Sequence, residues 1–164
     1  MQISSRAANS GADPNEVTSG IIAAAIEVHR HLGPRLLESA YQECICFELS
    51  RVGLAFTREV PLPLKYKGLK LDCSYRIDLL VEDSVLVELK SVEQLLPIHS
   101  AQLLTYLKAS FKQAGLLINF NVPVLKDGIR RIVSDYTGLL PSSPRLSPRL
   151  RVSALKEPPK RRTV

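Results

Sequence analysis

The stretch that most constrains the fold covers residues 78–90, Asp-Leu-Leu-Val-Glu-Asp-Ser-Val-Leu-Val-Glu-Leu-Lys, because it sets ionisable side chains into two runs that otherwise read as buried strand. Strand side chains alternate with a period of two. Val85, Val87 and Leu89 therefore share one face, while Leu86, Glu88 and Lys90 share the other. Upstream, Leu71, Cys73, Tyr75, Ile77, Leu79 and Val81 alternate with Asp72, Ser74, Arg76 and Asp78. Glu82, Asp83 and Ser84 remain as turn formers, which predicts an antiparallel hairpin with one apolar and one wet face. With Val81 opposite Val85 across the three-residue loop, Asp78 falls opposite Glu88, their Cβ atoms about 5 Å apart.

Two carboxylates at that separation repel by roughly 3 kcal/mol at an effective dielectric of about 20, and Lys90 relieves only part of this. A hard divalent cation would relieve the rest, since Mg²⁺ takes one or two carboxylates, keeps several waters and accepts phosphate oxygens. The same charges also suit the solvent face of an ordinary hairpin, so other parts of the chain must decide between a metal site and plain surface charge.

A chain of 164 residues, 45% hydrophobic, can bury one substantial core and requires no second domain. Its net charge of +6 suggests a nucleic-acid partner until the charge is located. Residues 138–164 hold seven Lys or Arg and one Glu, whereas residues 1–137 hold 15 basic and 15 acidic side chains. Basic surface on the body is therefore local rather than a phosphate-binding stripe. Three cysteines (Cys44, Cys46 and Cys73) are an odd number that fits a reducing compartment, and Cys44-x-Cys46 has no second pair at zinc-ligand spacing. The first sixteen residues hold no apolar leader core, and no apolar run approaches the roughly 18 residues of a membrane span. A cytoplasmic protein without membrane association is expected. No two of the eight glycines stand two apart, so neither a dinucleotide fingerprint nor a P-loop is present.

Taken in order, residues 1–12 read as disordered and residues 13–137 as one domain. Asp13-Pro14-Asn15-Glu16 is a helix start, and Gly33-Pro34 stops that helix. His29 and His31, two apart near its end, point to different sides and suit the helix dipole better than a shared metal. A second helix over residues 36–51 ends before Gly53. Glu38 stands on the stripe of Tyr41, Ile45 and Leu49, which predicts a half-buried carboxylate. Residues 56–66 form a strand in which Pro61 and Pro63 remove two amide donors from one edge, marking it as an outer strand. Lys67-Gly68 turns it into the hairpin described above. A third helix opens at Pro97 and runs to about residue 112, with Leu103, Leu104, Leu107 and Phe111 as core and Gln102 and Tyr106 one turn apart. Residues 115–120 return parallel to the sheet, and residues 129–133 form a last strand or a short helix. Residues 138–164, with five prolines and seven basic residues, read as a disordered basic tail.

Asp78 and Glu88-Leu89-Lys90, after a helical Glu38 and before Gln102-x-x-x-Tyr106, resemble the PD-(D/E)XK nuclease superfamily, especially its RecB-type exonuclease branch. The resemblance covers about residues 16–134. Gly33-Pro34-Arg35-Leu36-Leu37-Glu38-Ser39-Ala40-Tyr41, the run from Leu71 to Asp78, and Leu116-Leu117-Ile118-Asn119-Phe120 are similar to the small bacterial GxxExxY proteins of that superfamily. One departure is that Arg35 stands where that group has its name-giving glycine.

The resemblance implies an α/β, restriction-endonuclease-like αβββαβ core, its central mixed sheet flanked by helices, with one extra N-terminal helix. It implies that Asp78 and Glu88 hold Mg²⁺ or Mn²⁺ with Glu38 completing the site, that Lys90 orients or stabilises the attacking water, and that Gln102 and Tyr106 support them. The implied chemistry is phosphodiester hydrolysis in nucleic acid, DNA ahead of RNA, with self-association left open. The alternative is a non-catalytic nuclease-fold module that binds nucleic acid or a protein partner.

If nucleic acid is the partner, the charge-neutral body makes the tail the expected sequence-blind electrostatic arm. Deleting residues 138–164 should leave folding intact, weaken nucleic-acid binding and flatten its salt dependence by several units, at about 0.9 per lost duplex phosphate contact. Titrations at several salt concentrations check this, and an unchanged slope would remove the tail from nucleic-acid binding.

Overall fold

The computed structural model describes residues 12–135. Apart from Ala12, the expected disordered N-terminus lies outside these residues, as does the whole basic tail of residues 138–164.

Helix α1 spans Pro14–Leu32, and the Asp13 carboxylate caps it by accepting the Asn15 N–H at 2.9 Å. Helix α2 spans Glu38–Arg51 and is followed by Gly53 at φ 76°, the left-handed position a glycine tolerates. Strands β1 (Phe56–Tyr66), β2 (Leu69–Val81) and β3 (Val85–Lys90) form the expected antiparallel meander. Helix α3 (Pro97–Ser110) crosses over to β4 (Ala114–Asn119), which lies parallel to β3. A 3₁₀ turn, Leu125–Gly128, leads into β5 (Ile129–Val133), antiparallel to β4, so the last segment is a strand rather than a helix. The five-stranded sheet has the order β1-β2-β3-β4-β5 and is mixed, with helices on both sides, the α/β class expected from the sequence. β1 takes an outer place, as its prolines require, and its pairing slips between Leu62 and Leu64, around Pro63.

Two cores lie on opposite sides of the sheet. Ile21, Ala25 and Val28 of α1 and Tyr41, Ile45 and Leu49 of α2 pack on Leu79, Val81, Val85, Val87, Leu89, Leu116 and Ile118. On the other side, Leu103, Tyr106 and Leu107 of α3 pack on Leu62, Ile77, Leu86 and Leu117. This corrects the expectation of a wet face: Leu86 and Glu88 are buried and Lys90 half-buried, because the crossover from β3 to the parallel β4 lays α3 over that face. The hairpin pattern, read in isolation, contains no sign of that helix.

The strict alternation of β2 also fails. Ile77 packs in the α3 layer and Leu79 in the α1–α2 layer, although a two-residue period would give them one face. On β1, Val60 packs in the α3 layer and Phe56 in the other. Both strands change face between Arg58↔Leu79 and Val60↔Ile77, where Glu59 adopts φ 51° and Asp78 faces it. Helix α3 also stops earlier than expected. Phe111 is its left-handed C-cap at φ 57° and is exposed, so it is not a core residue, and Leu104 is only half-buried. His29 does more than face the helix dipole, since its Nε2 lies 2.8 Å from the Val122 carbonyl and ties α1 to the loop after β4. Among the described residues, no helix is long and apolar enough to cross a membrane.

The loop of residues 33–37 turns α1 into α2 through two left-handed residues, Gly33 at φ 67° and Arg35 at φ 78°. At a non-glycine residue that conformation costs about 1–2 kcal/mol. Gly128 answers a different need: a Cβ there would meet the Asn119 carbonyl oxygen at 2.2 Å. Backbone cannot yield as a flexible side chain can, so Gly128→Ala should destabilise the fold by about 2–3 kcal/mol, read as a lower urea midpoint with unchanged m-value.

Candidate active site

The hairpin register is the one the sequence predicts. Val81 pairs with Val85, Leu80 with Leu86 and Leu79 with Val87. Beyond that point the ladder continues through a side chain: Asp78 Oδ2 accepts the Leu89 N–H at 2.7 Å. Asp78 and Glu88 thus lie together where β2 changes face, at the C-terminal end of the central strand.

Glu88 is buried, its side chain only 4% exposed, and its Oε1 accepts a 2.7 Å hydrogen bond from Lys90 Nζ. Its other oxygen, Oε2, is buried and has no hydrogen-bond partner among the described residues. Burial, then the charge of Asp78, raise the Glu88 pKa to about 7 against the opposing hydrogen bond and charge of Lys90. Burial also raises Asp78, opposed by the Leu89 N–H and by Lys90. Burial pushes Lys90 down, but its hydrogen bond to Glu88 and the charges of Glu88, Glu38 and Asp78 prevail, and the ammonium is held above its usual range. Lys90 is therefore a fixed positive charge at neutral pH rather than a base.

Glu38 opens α2 and is exposed, which corrects the expected half-buried position: the stripe of Tyr41, Ile45 and Leu49 is buried, but the helix start that carries Glu38 lies at the surface. Its carboxylate reaches the end of β3 all the same, because Oε1 accepts the N–H of Ser91 at 3.0 Å. Glu38 also acts electrostatically on Asp78, Glu88 and Lys90, so the structure brings these four charged groups together. Gln102 and Tyr106 lie in the α3 layer, on the side of the sheet where Leu86 is buried. Gln102 Nε2 donates to the Tyr106 hydroxyl at 2.6 Å, and Tyr106 meets Tyr75 edge-on in the α3 layer. Among the described residues, no hydrogen bond joins either one to Asp78, Glu88 or Lys90.

Two supporting residues carry no role in the sequence pattern. Gln42, one turn after Glu38 on α2, donates to the Asp78 carbonyl at 3.2 Å and leans on Glu59 at 3.4 Å. Its i+4 spacing from Glu38 is a signal that could have found it. Asn119, buried beside Lys90 in the parallel ladder, accepts the Val92 N–H at 3.0 Å and donates to the Val92 carbonyl at 2.8 Å. It thereby fixes the chain as it leaves β3. No spacing rule marks Asn119, since its partner lies 27 residues away.

The family model of the PD-(D/E)XK nuclease superfamily matches residues 15–132, which include all four charged residues. The chain belongs to this superfamily. No curated protein and no solved structure matches it significantly. The matched span contains Asp78, Glu88 and Lys90, which the fold gathers at the end of β3.

Superfamily nucleases generally use divalent metal ions, so the donor set has to be tested against one. Among the described residues, no three His, Cys, Asp or Glu side chains converge closely enough to hold an ion by themselves. The orphaned Glu88 Oε2, beside an Asp78 whose charge raises the Glu88 pKa, nevertheless fits a hard cation that takes two carboxylates and fills its other positions with water or phosphate oxygen.

The folded pKa of Glu88 lies above its unfolded value of 4.5, so its stabilising contribution is present below pH 4.5 and is lost as pH rises through about 7. Without metal, stability should fall across that window by up to about 3 kcal/mol. Glu88→Gln keeps a carbonyl to accept from Lys90 and removes the ionisation, so the fall should flatten and the variant should be the more stable at pH 8. Urea titrations in a chelator at pH 5, 6, 7 and 8 check this.

Proposed function

We propose that the protein is a metal-dependent nuclease that hydrolyses phosphodiester bonds in nucleic acid, with DNA the first substrate to test. The observation that carries this reading is the buried, partnerless Glu88 Oε2 beside Asp78, with an ammonium 2.7 Å from the other oxygen of the same carboxylate. A chain gains no stability from burying a carboxylate with one oxygen unsatisfied. Such an arrangement makes sense when a cation completes it.

Asp78 and Glu88 would hold Mg²⁺ or Mn²⁺, with Glu38 as the outer carboxylate. When bound, the ion supplies Lewis-acid polarisation of the phosphate and a more acidic water. Lys90, kept charged by Glu88, offsets the negative charge that develops on the phosphoryl oxygens. Glu38 and Asn119 hold the chain after β3 and so fix the direction from which Lys90 reaches the site. Gln42 holds the Asp78 carbonyl where β2 changes face. Gln102 and Tyr106, joined to each other, act as support within the α3 layer.

A finer placement among the GxxExxY proteins of the RecB-type branch is part of this reading. It is supported by the way Tyr41 works: its hydroxyl accepts the Leu36 N–H at 3.1 Å and donates to the Gly33 carbonyl at 2.7 Å, bracing the loop before Glu38. The alternative is a non-catalytic nuclease-fold module that binds nucleic acid or a protein partner. Lys90 separates the two. Under the nuclease reading, Lys90→Ala should keep Mn²⁺ binding by calorimetry and lose about a hundredfold or more in cleavage rate, whereas Glu88→Ala should lose both. Background hydrolysis by the wild-type protein across DNA and RNA substrates with Mn²⁺ would leave only the module.

A further inference from the structure

The three acids gathered at the end of β3 repel a polyanion, and the neighbouring cations are already engaged. Lys90 is held by Glu88, Arg58 by Glu43 and Arg76 by Glu59. Arg35 differs from them. It is exposed, and among the described residues it has no ion pair or side-chain hydrogen bond. It also holds a left-handed backbone, φ 78°, two residues after Gly33 meets the same demand at φ 67° with no side chain at all.

The loop that carries Arg35 is pinned to the site. Ser91, which directly follows Lys90, donates from Oγ to the Leu36 carbonyl at 2.6 Å and from its N–H to Glu38 at 3.0 Å. Tyr41, fully buried and stacked on Phe120 at 4.3 Å between ring centres, grips Gly33 and Leu36 on either side of Arg35. Leu36, next to Arg35, is thus bonded to the residue that follows Lys90, while the Arg35 guanidinium has no partner among the described residues.

We propose that Arg35 is a substrate-binding residue that grips a backbone phosphate beside the one to be cleaved. This rests on the nuclease reading given above. A guanidinium suits the role because its planar fork bonds two phosphate oxygens at once and its charge persists at every working pH. Glycine would relax the turn but remove a positive charge that, among the described residues, has no partner.

The test uses the full chain with Ca²⁺, a hard cation that takes carboxylate oxygens, and measures anisotropy of a labelled 20-base-pair DNA duplex and of a 20-nucleotide single strand across a salt series. Arg35→Gly should weaken binding several-fold and flatten the salt slope by about 0.9 on the duplex or about 0.7 on the single strand, while raising the melting temperature by a few degrees. Arg35→Lys should keep the slope but lose part of the affinity, since an ammonium provides the charge without the fork. An Arg35→Gly protein that gains stability yet binds with unchanged affinity and slope overturns the role of Arg35 and leaves the nuclease reading intact. If the wild-type protein binds neither these DNAs nor a single-stranded RNA of the same length, both readings fall.

Discussion

The contact between Lys90 and Glu88 lies where proteins rarely place charge, on the central strand of a sheet covered on both faces. Taking a carboxylate and an ammonium out of water opposes folding by several kcal/mol per ion, and the attraction between them repays this only when every remaining lone pair is satisfied. Here one oxygen is not satisfied. The opposing weight comes from two cores: α1 and α2 bury one side of the sheet and α3 the other, so the apolar burial that holds β3 in place does not depend on its charged end.

The sheet meets the need for a gathered charge group by breaking its own regularity. A regular β2 would put Ile77 and Leu79 on one face, whereas a change of face at Glu59 and Asp78 turns the outer halves of β1 and β2 onto the α3 layer. Asp78 is then free to replace a ladder bond with its carboxylate, which accepts the Leu89 N–H, while its carbonyl accepts from Gln42. Irregular strand geometry of this kind commonly marks functional positions, because it redirects a side chain without unpairing the strand.

A second irregularity stands across the end of β3. The loop of residues 33–37 spends two left-handed residues on a tight passage from α1 to α2, and Tyr41, Ser91 and Glu38 bind it to the strand that carries Lys90. Rigid support from a buried aromatic pair, Tyr41 on Phe120, allows an exposed carboxylate on the first turn of a helix to keep a defined place near buried ones.

Much of the molecule was legible in the sequence alone because its signals are local. The Asp13 cap, the prolines of the outer strand and the Glu82-Asp83-Ser84 turn act over a few residues, and the two-residue period with Val81 opposite Val85 was enough to bring Asp78 and Glu88 together. Tertiary structure alone decided what covers the sheet and how deeply the charges are buried. Helix α3 dries the face that the hairpin pattern left wet, the first turn of α2 leaves Glu38 exposed, and Gln102 bonds Tyr106 within the α3 layer. The bonds that set the site, Gln42 to Asp78, Ser91 to Glu38 and Asn119 to Val92, span 36, 53 and 27 residues. Local propensity and periodicity carry no information across such distances, because these contacts exist only after two cores on opposite faces of one sheet have closed.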